Sequence, residues 1–183
     1  MQLPLHKVLK NGTKVELNYI HPQEEEVVRA LLNQIIIAGK SYPQIHPLSK
    51  TEFASYWLAK DAFVVRMADQ SSASQTQEVL GAFFLKPNFP GRCCHIANAG
   101  FIVQPEWQGQ GIGRLMGESM LLIAAELGYQ AVMFNLVFDT NIASINLWRS
   151  LGFTTIGRIP AAVKLEDGEM IDALMMYKGI GNR

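Results

Sequence analysis

The feature that most constrains the fold of this 183-residue chain is an apolar strand that runs into a glycine-rich turn and then a helix. Residues 96–103 are mainly apolar, and the turn Gln108-Gly-Gln-Gly-Ile-Gly-Arg114 follows them. Such a turn aims backbone N–H groups and the positive end of a helix dipole at one point, which favours phosphate binding. Its glycines have no Cβ atoms to keep a pyrophosphate from the backbone. Apolar residues at helical spacing follow, at Ile112, Leu115, Met116, Met120 and Ile123.

The glycines alone leave three interpretations open. A P-loop requires Lys-Ser or Lys-Thr after its last glycine, whereas Arg114-Leu115 stands here. A dinucleotide fingerprint requires the spacing G-x-G-x-x-G, which the observed Gln-x-x-Gly-x-Gly does not match. The third interpretation is a plain connection between a strand and a helix that binds nothing.

A second motif downstream favours a ligand-binding turn. The segment Asn141-Ile-Ala-Ser-Ile-Asn-Leu-Trp148-Arg-Ser-Leu-Gly-Phe153 follows a predicted strand, and its pattern predicts a helix that ends on glycine. Together the two segments resemble the GNAT superfamily of acetyl-CoA-dependent N-acetyltransferases. The turn resembles that family's pyrophosphate loop, (Arg/Gln)-x-x-Gly-x-(Gly/Ala). The helix resembles its Asn-x-x-Ala-x-x-Leu-Tyr-x-x-x-Gly-Phe helix, so the resemblance covers residues 96–153.

Length and a hydrophobic content of 49% predict one folded domain over residues 1–183. The sequence shows neither a membrane-length apolar run nor a signal peptide, so we expect a cytoplasmic protein. A formal net charge of 0 gives no electrostatic reason to expect nucleic acid or an anionic membrane as a partner. The only cysteines, Cys93 and Cys94, are adjacent, and no metal-ligand spacing occurs, so neither a disulfide nor a metal site is expected. Oligomeric state stays open, a homodimer included.

The order of the predicted elements is strand, two helices, three strands, helix, strand, helix and two strands. We therefore predict an α/β (α+β) fold with a single mixed, mostly antiparallel sheet flanked by helices on both faces. In the first helix the predicted buried residues are Val27, Val28, Leu31, Leu32, Ile35 and Ile36. A polar stretch, 69–77, predicts a hairpin connection. The predicted strands are 14–20, 62–67, 79–85, 96–103, 131–138, 153–159 and 170–177, and the predicted helices begin near Pro22, Thr51, Gly111 and Asn141.

The resemblance implies a specific cofactor site. The fourth and fifth predicted strands, 96–103 and 131–138, would splay apart and admit the pantetheine arm of acetyl-CoA. Backbone N–H groups of the glycine turn would hold the pyrophosphate, and the main chain of Phe101 and Val103 would pair with the pantetheine like an added strand. Asn141 starts a helix and is expected to cap it, and the family pattern adds a bond to the pantetheine. The implied cofactor-binding residues are Phe101, Val103, Gln108, Gly109, Gln110, Gly111, Gly113, Arg114, Asn141, Ser144 and Trp148.

Trp148 departs from the family pattern. Many relatives carry at this position a tyrosine that protonates the leaving thiolate, whereas an indole N–H cannot ionise usefully near neutral pH. Either Trp148 donates a hydrogen bond to the sulfur, or it only packs its helix against the sheet. A CoA thiol has a pKa near that of cysteine, about 8.5, and can leave as thiolate without an acid.

Two asparagines are the candidate catalytic residues. Asn135 interrupts an apolar strand, and a buried amide costs about 1–3 kcal/mol unless it is paired. Asn98 lies on the other strand predicted to splay, so both side chains are expected to face the acetyl group and to orient the acceptor. The alternative partner of the Asn135 amide is backbone at the splay. His95, His46 and Tyr42 are weaker candidates.

The resemblance implies an N-acetyltransferase that moves an acetyl group from acetyl-CoA to an amine of a small molecule. The run Phe134-Asn-Leu-Val-Phe138 with Gly157-Arg-Ile-Pro160 resembles fungal acetyltransferases that act on proline analogues such as azetidine-2-carboxylate, which suggests an amino or imino acid. Acetylation of a protein lysine or N-terminus, and a catalytically silent acyl-CoA-binding module, remain alternatives. The sequence does not name the acceptor.

Overall fold

A computed structural model describes residues 2–68 and 78–181, so the predicted connection at 69–77 lies outside the described residues. Within these two ranges, eight strands form one sheet in the order β1-β2-β3-β4-β5-β6-β8-β7. Neighbouring strands pair antiparallel, except β5 and β6, which are parallel. The predicted mixed, mostly antiparallel sheet is confirmed. The strands are β1 (Leu5–Val8), β2 (Lys14–Tyr19), β3 (Asp61–Met67), β4 (Val79–Pro87), β5 (Ile96–Val103), β6 (Ala131–Phe138), β7 (Thr154–Lys164) and β8 (Met170–Gly179).

Helices cover both faces of the sheet, as predicted. The α-helices of the described residues are α1 (Glu25–Ala38), α2 (Lys50–Trp57), α3 (Ile112–Glu126) and α4 (Ile142–Ser150). On one face, α1 and α2 pack against the β3, β4 and β5 side chains of Val64, Ala82, Phe84 and Ile102. On the other, α3 and α4 pack against a separate cluster that includes Phe83 and Phe134. We call these the α1/α2 face and the α3/α4 face.

Apolar spacing predicts the buried side of α3 better than that of α1. All five apolar residues expected to face the core in α3 are buried. In α1, Val28 is fully buried, but Val27 is 48% exposed, so that expectation was wrong. Successive helical residues are about 100° apart, which places Val27 at the edge of the stripe centred on Val28 and Leu32. The exposed valine still fits an amphipathic surface helix.

The first strand, β1, was not predicted. Of its residues Leu5–Val8, all except Leu5 are exposed, so they show no apolar alternation. The strand forms because a turn at Gly12, with φ +86°, folds it back on β2. A positive φ of this kind strongly favours glycine.

The two central strands β5 and β6 diverge, as the resemblance implied. They pair only at Ile96 with Ala131 and Ala97 with Val132, and then separate. On its other side, β6 contains a bulge, because the register of its pairing with β8 shifts between Phe134 and Val137. Bulges bend a strand and increase its local twist. The remainder of β5 therefore faces a gap instead of a paired strand.

No helix in residues 2–68 and 78–181 has the length and apolar character that crossing a bilayer would require. The same residues bring together no group of three or more His, Cys, Asp or Glu side chains that could hold a metal ion.

Candidate active site

Main-chain groups of β5 point into the gap between β5 and β6. The N–H of Gln104 donates to the carbonyl of Leu80 at 2.9 Å, which shows that even-numbered positions here bond to β4. Because antiparallel bonding alternates along a strand, the N–H and C=O groups of Ala99, Phe101 and Val103 point the opposite way. The gap is thus bordered by a strand edge that can pair with an extended ligand. Phe101 and Val103 are the two residues that the resemblance implied for this role.

The carbonyl oxygen of Phe101 already has a partner. The Tyr42 hydroxyl donates to it at 3.0 Å, from the loop between α1 and α2. Burial raises the pKa of Tyr42 well above its usual range, so this hydroxyl stays protonated and serves as a donor. The side-chain amide of Gln108 donates to the carbonyl of Val103 at 3.5 Å, and this carbonyl also points into the gap. Side chains therefore tie both the α1–α2 loop and the glycine turn to the open edge.

The glycine turn has the backbone geometry of an anion-binding site. Gly109 and Gly111 have φ of +74° and +94°, values that other residues rarely adopt. Gly111 is the N-cap of α3, so the first N–H groups of that helix have no partners within the helix. A Cβ on Gly109 or Gly111 would have no protein atom within 4 Å. The space that these glycines leave open belongs to the cleft rather than to the core.

A cleft of about 770 Å³ joins the turn, the gap and the α1/α2 face. It is lined by every site residue predicted from the sequence except Gln110. The Gln110 side chain instead donates to the Glu106 carbonyl at 2.7 Å and accepts from Asn11 at 2.7 Å. Among residues 2–68 and 78–181, none that lines the cleft is an aspartate or a glutamate. Its charged lining side chains are Lys86 and Arg114.

Asn141 and Arg114 have structural partners beside the cleft. The Asn141 side chain accepts from the N–H of Ser144 at 3.2 Å, which confirms it as the N-cap of α4. Arg114 donates to the Ser150 hydroxyl at 2.8 Å and lies 3.4 Å from Glu118. These contacts hold the start of α3 against α4 on one side of the cleft.

Trp148 packs in an aromatic wall on the α3/α4 face and also lines the cleft. It is 5% exposed, and its ring centroid lies 4.8 Å from that of Phe101 and 4.5 Å from that of Phe134. Gly117 of α3 makes room for it, because a Cβ there would lie 3.1 Å from the indole ring. Trp148 therefore packs α4 against the sheet, and a hydrogen bond from its indole to a ligand sulfur stays a prediction.

We predict that Trp148→Phe lowers turnover less than about tenfold, because an indole cannot act as a general acid and phenylalanine keeps the aromatic packing. Steady-state turnover with saturating acetyl-CoA, together with a thermal unfolding curve, measures this. Removal of a true general acid typically costs about 10²–10⁴-fold. A loss of that size in a folded variant would contradict the prediction.

The two candidate asparagines are held by different partners at the gap. Asn98 donates to the carbonyl of Met133 on β6 at 3.0 Å, so its partner is backbone at the splay. Asn135 forms a reciprocal amide pair with Asn88, with distances of 2.9 and 2.6 Å. Both asparagines line the cleft and are partly buried, but each bonds elsewhere rather than to the other. The amide pair bridges the end of β4 and the bulge of β6.

Sequence reasoning missed Asn88 and Lys86. Asn88 lies in the run Pro87-Asn-Phe-Pro90, which looks like a chain break. Lys86 follows an apolar strand, and a single charged residue at the end of a strand is commonly exposed to solvent. Spacing links the two residues, because positions two apart in an extended chain share a face. Asn88 lies just beyond β4, but its N–H still donates to the carbonyl of Ile96 on β5 at 2.8 Å. Two other candidates, His46 and His95, are exposed and do not line the cleft.

A sequence profile of the acetyltransferase (GNAT) family matches residues 32–153, a range that contains β5, the glycine turn and α4. The chain belongs to the GNAT family. Its relatives include the N-acetyltransferase aca1 of Schizosaccharomyces pombe, with 36% identity over 160 residues that cover 80% of this chain and 76% of that protein. Another is the protein SPT10 of Saccharomyces cerevisiae, at 32% identity over 96% of this chain. This GNAT chain spans only 35% of SPT10.

Solved GNAT structures share the architecture. A GCN5-related N-acetyltransferase from Kribbella flavida superposes with a TM-score of 0.81 at 27% identity, covering 90% of this chain and 97% of that one. A phosphinothricin acetyltransferase from Sinorhizobium meliloti, solved in complex with acetyl-CoA, gives 0.79 at 18% identity over 91% and 89% of the two chains. The predicted family and fold are confirmed, and the protein is an acetyl-CoA-dependent N-acetyltransferase.

Proposed function

We propose that this GNAT enzyme acetylates the amine of a small molecule, of the amino-acid or imino-acid type. The supporting observation is the loop over the acceptor end of the cleft, where the Tyr42 hydroxyl bonds to the Phe101 carbonyl. Ser41, Tyr42 and Pro43 of the α1–α2 loop line the cleft there. A peptide chain would have to lie across this loop, which that hydrogen bond ties to β5. A cleft partly covered in this way instead suits a compact acceptor.

The cleft residues offer the groups that acetyl-CoA binding requires. The glycine turn and the first turn of α3 supply N–H groups for the pyrophosphate. The outward main-chain groups of Phe101 and Val103 suit an extended pantetheine arm. When bound, acetyl-CoA supplies the acetyl thioester, and these residues hold it against the α1/α2 face, where the acceptor binds.

Proton transfer by side chains has a small role in this proposal. The cleft lining offers amides and two tyrosines, and burial raises the pKa of both Tyr42 and Tyr56. Neither phenol is a useful base at neutral pH. The acceptor amine therefore reacts in its neutral form, and catalysis depends chiefly on positioning. The rate should rise with pH as the free-amine fraction of the acceptor increases.

Asn135→Ala and Asn98→Ala should each lower kcat/KM for the acceptor up to about tenfold, because a hydrogen bond between the amide and the neutral bound amine is lost. The dissociation constant of acetyl-CoA should change far less. Asn146→Ala, an exposed asparagine of α4 that does not line the cleft, is the matched control. A folded variant with normal acceptor turnover but weak acetyl-CoA binding would show that its asparagine serves the cofactor or the fold.

The decisive experiment is a thiol-release assay with acetyl-CoA over amino acids, imino acids, polyamines and peptides. Release with amino or imino acids supports the proposal. Release only with peptides would instead assign a protein lysine or N-terminus as acceptor. Acetyl-CoA binding with no release over the whole panel would contradict a small amine substrate of any of these classes.

We also propose that residues 1–183 act as one domain in the cytoplasm. Cys93 and Cys94 are both exposed and free, which suits a reducing compartment.

A further inference from the structure

Lys86 occupies the acceptor end of the cleft. In the pairing of β4 with β5 it lies directly opposite Asn98, so the two side chains share the α1/α2 face. Antiparallel partners at hydrogen-bonded positions, as here, have Cα atoms about 5.5 Å apart. Lys86 and Tyr56 also border a neighbouring pocket of about 400 Å³ beneath α2. Lys86 thus stands between the splayed strands and this second opening.

The Lys86 ammonium is held in place but has hydrogen-bonding capacity left. It donates to the Tyr56 carbonyl at 3.0 Å and lies 4.6 Å and 4.7 Å from the ring centroids of Tyr56 and Phe84. An ammonium has three N–H donors, and these contacts use one of them. In residues 2–68 and 78–181, no carboxylate forms a salt bridge with it.

Among the described residues that line the cleft and the smaller pocket, the one carboxylate already has hydrogen-bond partners. Glu52 borders the smaller pocket, but it accepts from the N–H and hydroxyl of Ser49 at 2.8 Å and 2.6 Å in a capping box. Lys86 is consequently a half-buried cation that has no counter-ion within the described part of the chain. Burial lowers its pKa, which reflects the cost of desolvating this charge. A bound anion would offset that cost.

We propose that Lys86 binds the carboxylate of the acceptor and thereby selects amino and imino acids over simple amines. The acceptor amine then lies beside Asn98, on the same face and next to the splay. The lack of Asp and Glu among the described lining residues fits this assignment, because an acceptor with a second positive charge would find no partner there. This inference rests on the proposed function and adds the group that determines specificity.

The test compares acids with their methyl esters, which keep the amine and remove the negative charge. Each amino and imino acid that releases thiol is assayed beside its methyl ester, with rates expressed per free amine because esterification lowers the amine pKa. The wild type should prefer the acid about 10- to 100-fold in kcat/KM, the size expected for a hydrogen bond to a charged group. Lys86→Met should abolish most of that preference, and Lys86→Arg should restore part of it.

Lys60→Met is the matched control, because Lys60 also lies over a tyrosine ring, that of Tyr129 at 5.5 Å, but lines neither opening. It should leave the acid-to-ester preference unchanged. Equal loss with acid and ester in Lys86→Met would overturn the inference and assign Lys86 a purely structural role. Thiol release with esters and uncharged amines, but no preference for acids, overturns it as well while leaving the proposed function intact. No release with any amine would defeat the proposed function itself.

Discussion

Gly111→Val is expected to abolish acetyl-CoA binding, with a loss in affinity of at least about 100-fold, while the protein still folds. Gly111 has φ +94°, and a Cβ there meets no protein atom within 4 Å. The valine side chain would instead enter the space in which we expect the pyrophosphate to contact the backbone. The positive φ at position 111 costs a valine about 1–2 kcal/mol of stability, which a domain of ordinary stability tolerates. Titration calorimetry with acetyl-CoA measures the affinity.

Gly128→Val provides the matched control for this substitution. Gly128 follows the other end of α3, has φ +85°, and a Cβ there would likewise meet no protein atom within 4 Å. It does not line the cleft. Both variants should lose similar thermal stability, but only Gly111→Val should lose acetyl-CoA. Wild-type affinity in a folded Gly111→Val variant would show that the pyrophosphate binds elsewhere.

Arg66→Met is expected to destabilise the protein by about 3–5 kcal/mol, the range found when one partner of a buried ion pair is removed. Arg66 is 4% exposed and donates to Glu16 at 2.8 Å and to Glu24 at 2.9 Å. It also donates to the carbonyl of Tyr19 at 3.1 Å, so it joins β2 and β3 to the turn before α1. Methionine would leave two largely buried carboxylates without a cation. Urea unfolding measures the change.

Arg158→Met tests whether burial of the ion pair causes the large loss of stability expected for Arg66→Met. Arg158 also contacts two carboxylates, Asp139 at 3.0 Å and Asp172 at 2.8 Å, but its side chain is 52% exposed. Water solvates the carboxylates there, so this variant should lose much less stability. The triple variant Arg66→Met, Glu16→Gln, Glu24→Gln should regain part of the loss, because the uncompensated charges are gone. Equal losses for Arg66→Met and Arg158→Met would contradict the burial explanation.

Periodicity and turn chemistry predict much of this fold from sequence. The apolar spacing of α3 identifies its buried side, and the strand, glycine turn and helix appear in the predicted order. Local sequence patterns do not predict strands whose formation or length depends on tertiary contacts. β1 forms through pairing with β2 although its residues are mostly exposed, and β7 continues to Lys164 beyond a change of register after Ile159. Apart from Asn11-Gly12, a typical hairpin turn before β2, neither feature has a local signal.

The candidate site likewise contains one part that local motifs predict and one part that only the folded sheet brings together. The residues predicted to bind the cofactor lie in two contiguous motifs, so their positions could be predicted together. The end of the cleft where we propose that the acceptor binds is assembled from separate elements: Tyr42 from a loop, Lys86 from the end of β4, Asn88 from just beyond it, and Asn135 from β6. Asn135 could be identified because a lone amide in an apolar strand requires a partner. That its partner is Asn88 follows only from the bulge and splay of the folded sheet.

The divergence of β5 and β6 gives the sheet an edge in its interior. Outer strand edges can pair with other chains and promote aggregation, and proteins commonly shield them. Here the outward N–H and C=O groups of Phe101 and Val103 face a cleft whose lining includes Trp148 and Tyr42. Tyr42 and Gln108 already donate to the two carbonyls. An invading strand would have to displace these side chains, whereas the slender pantetheine arm that we propose as the ligand needs less room. The interior edge is therefore a poor template for self-association.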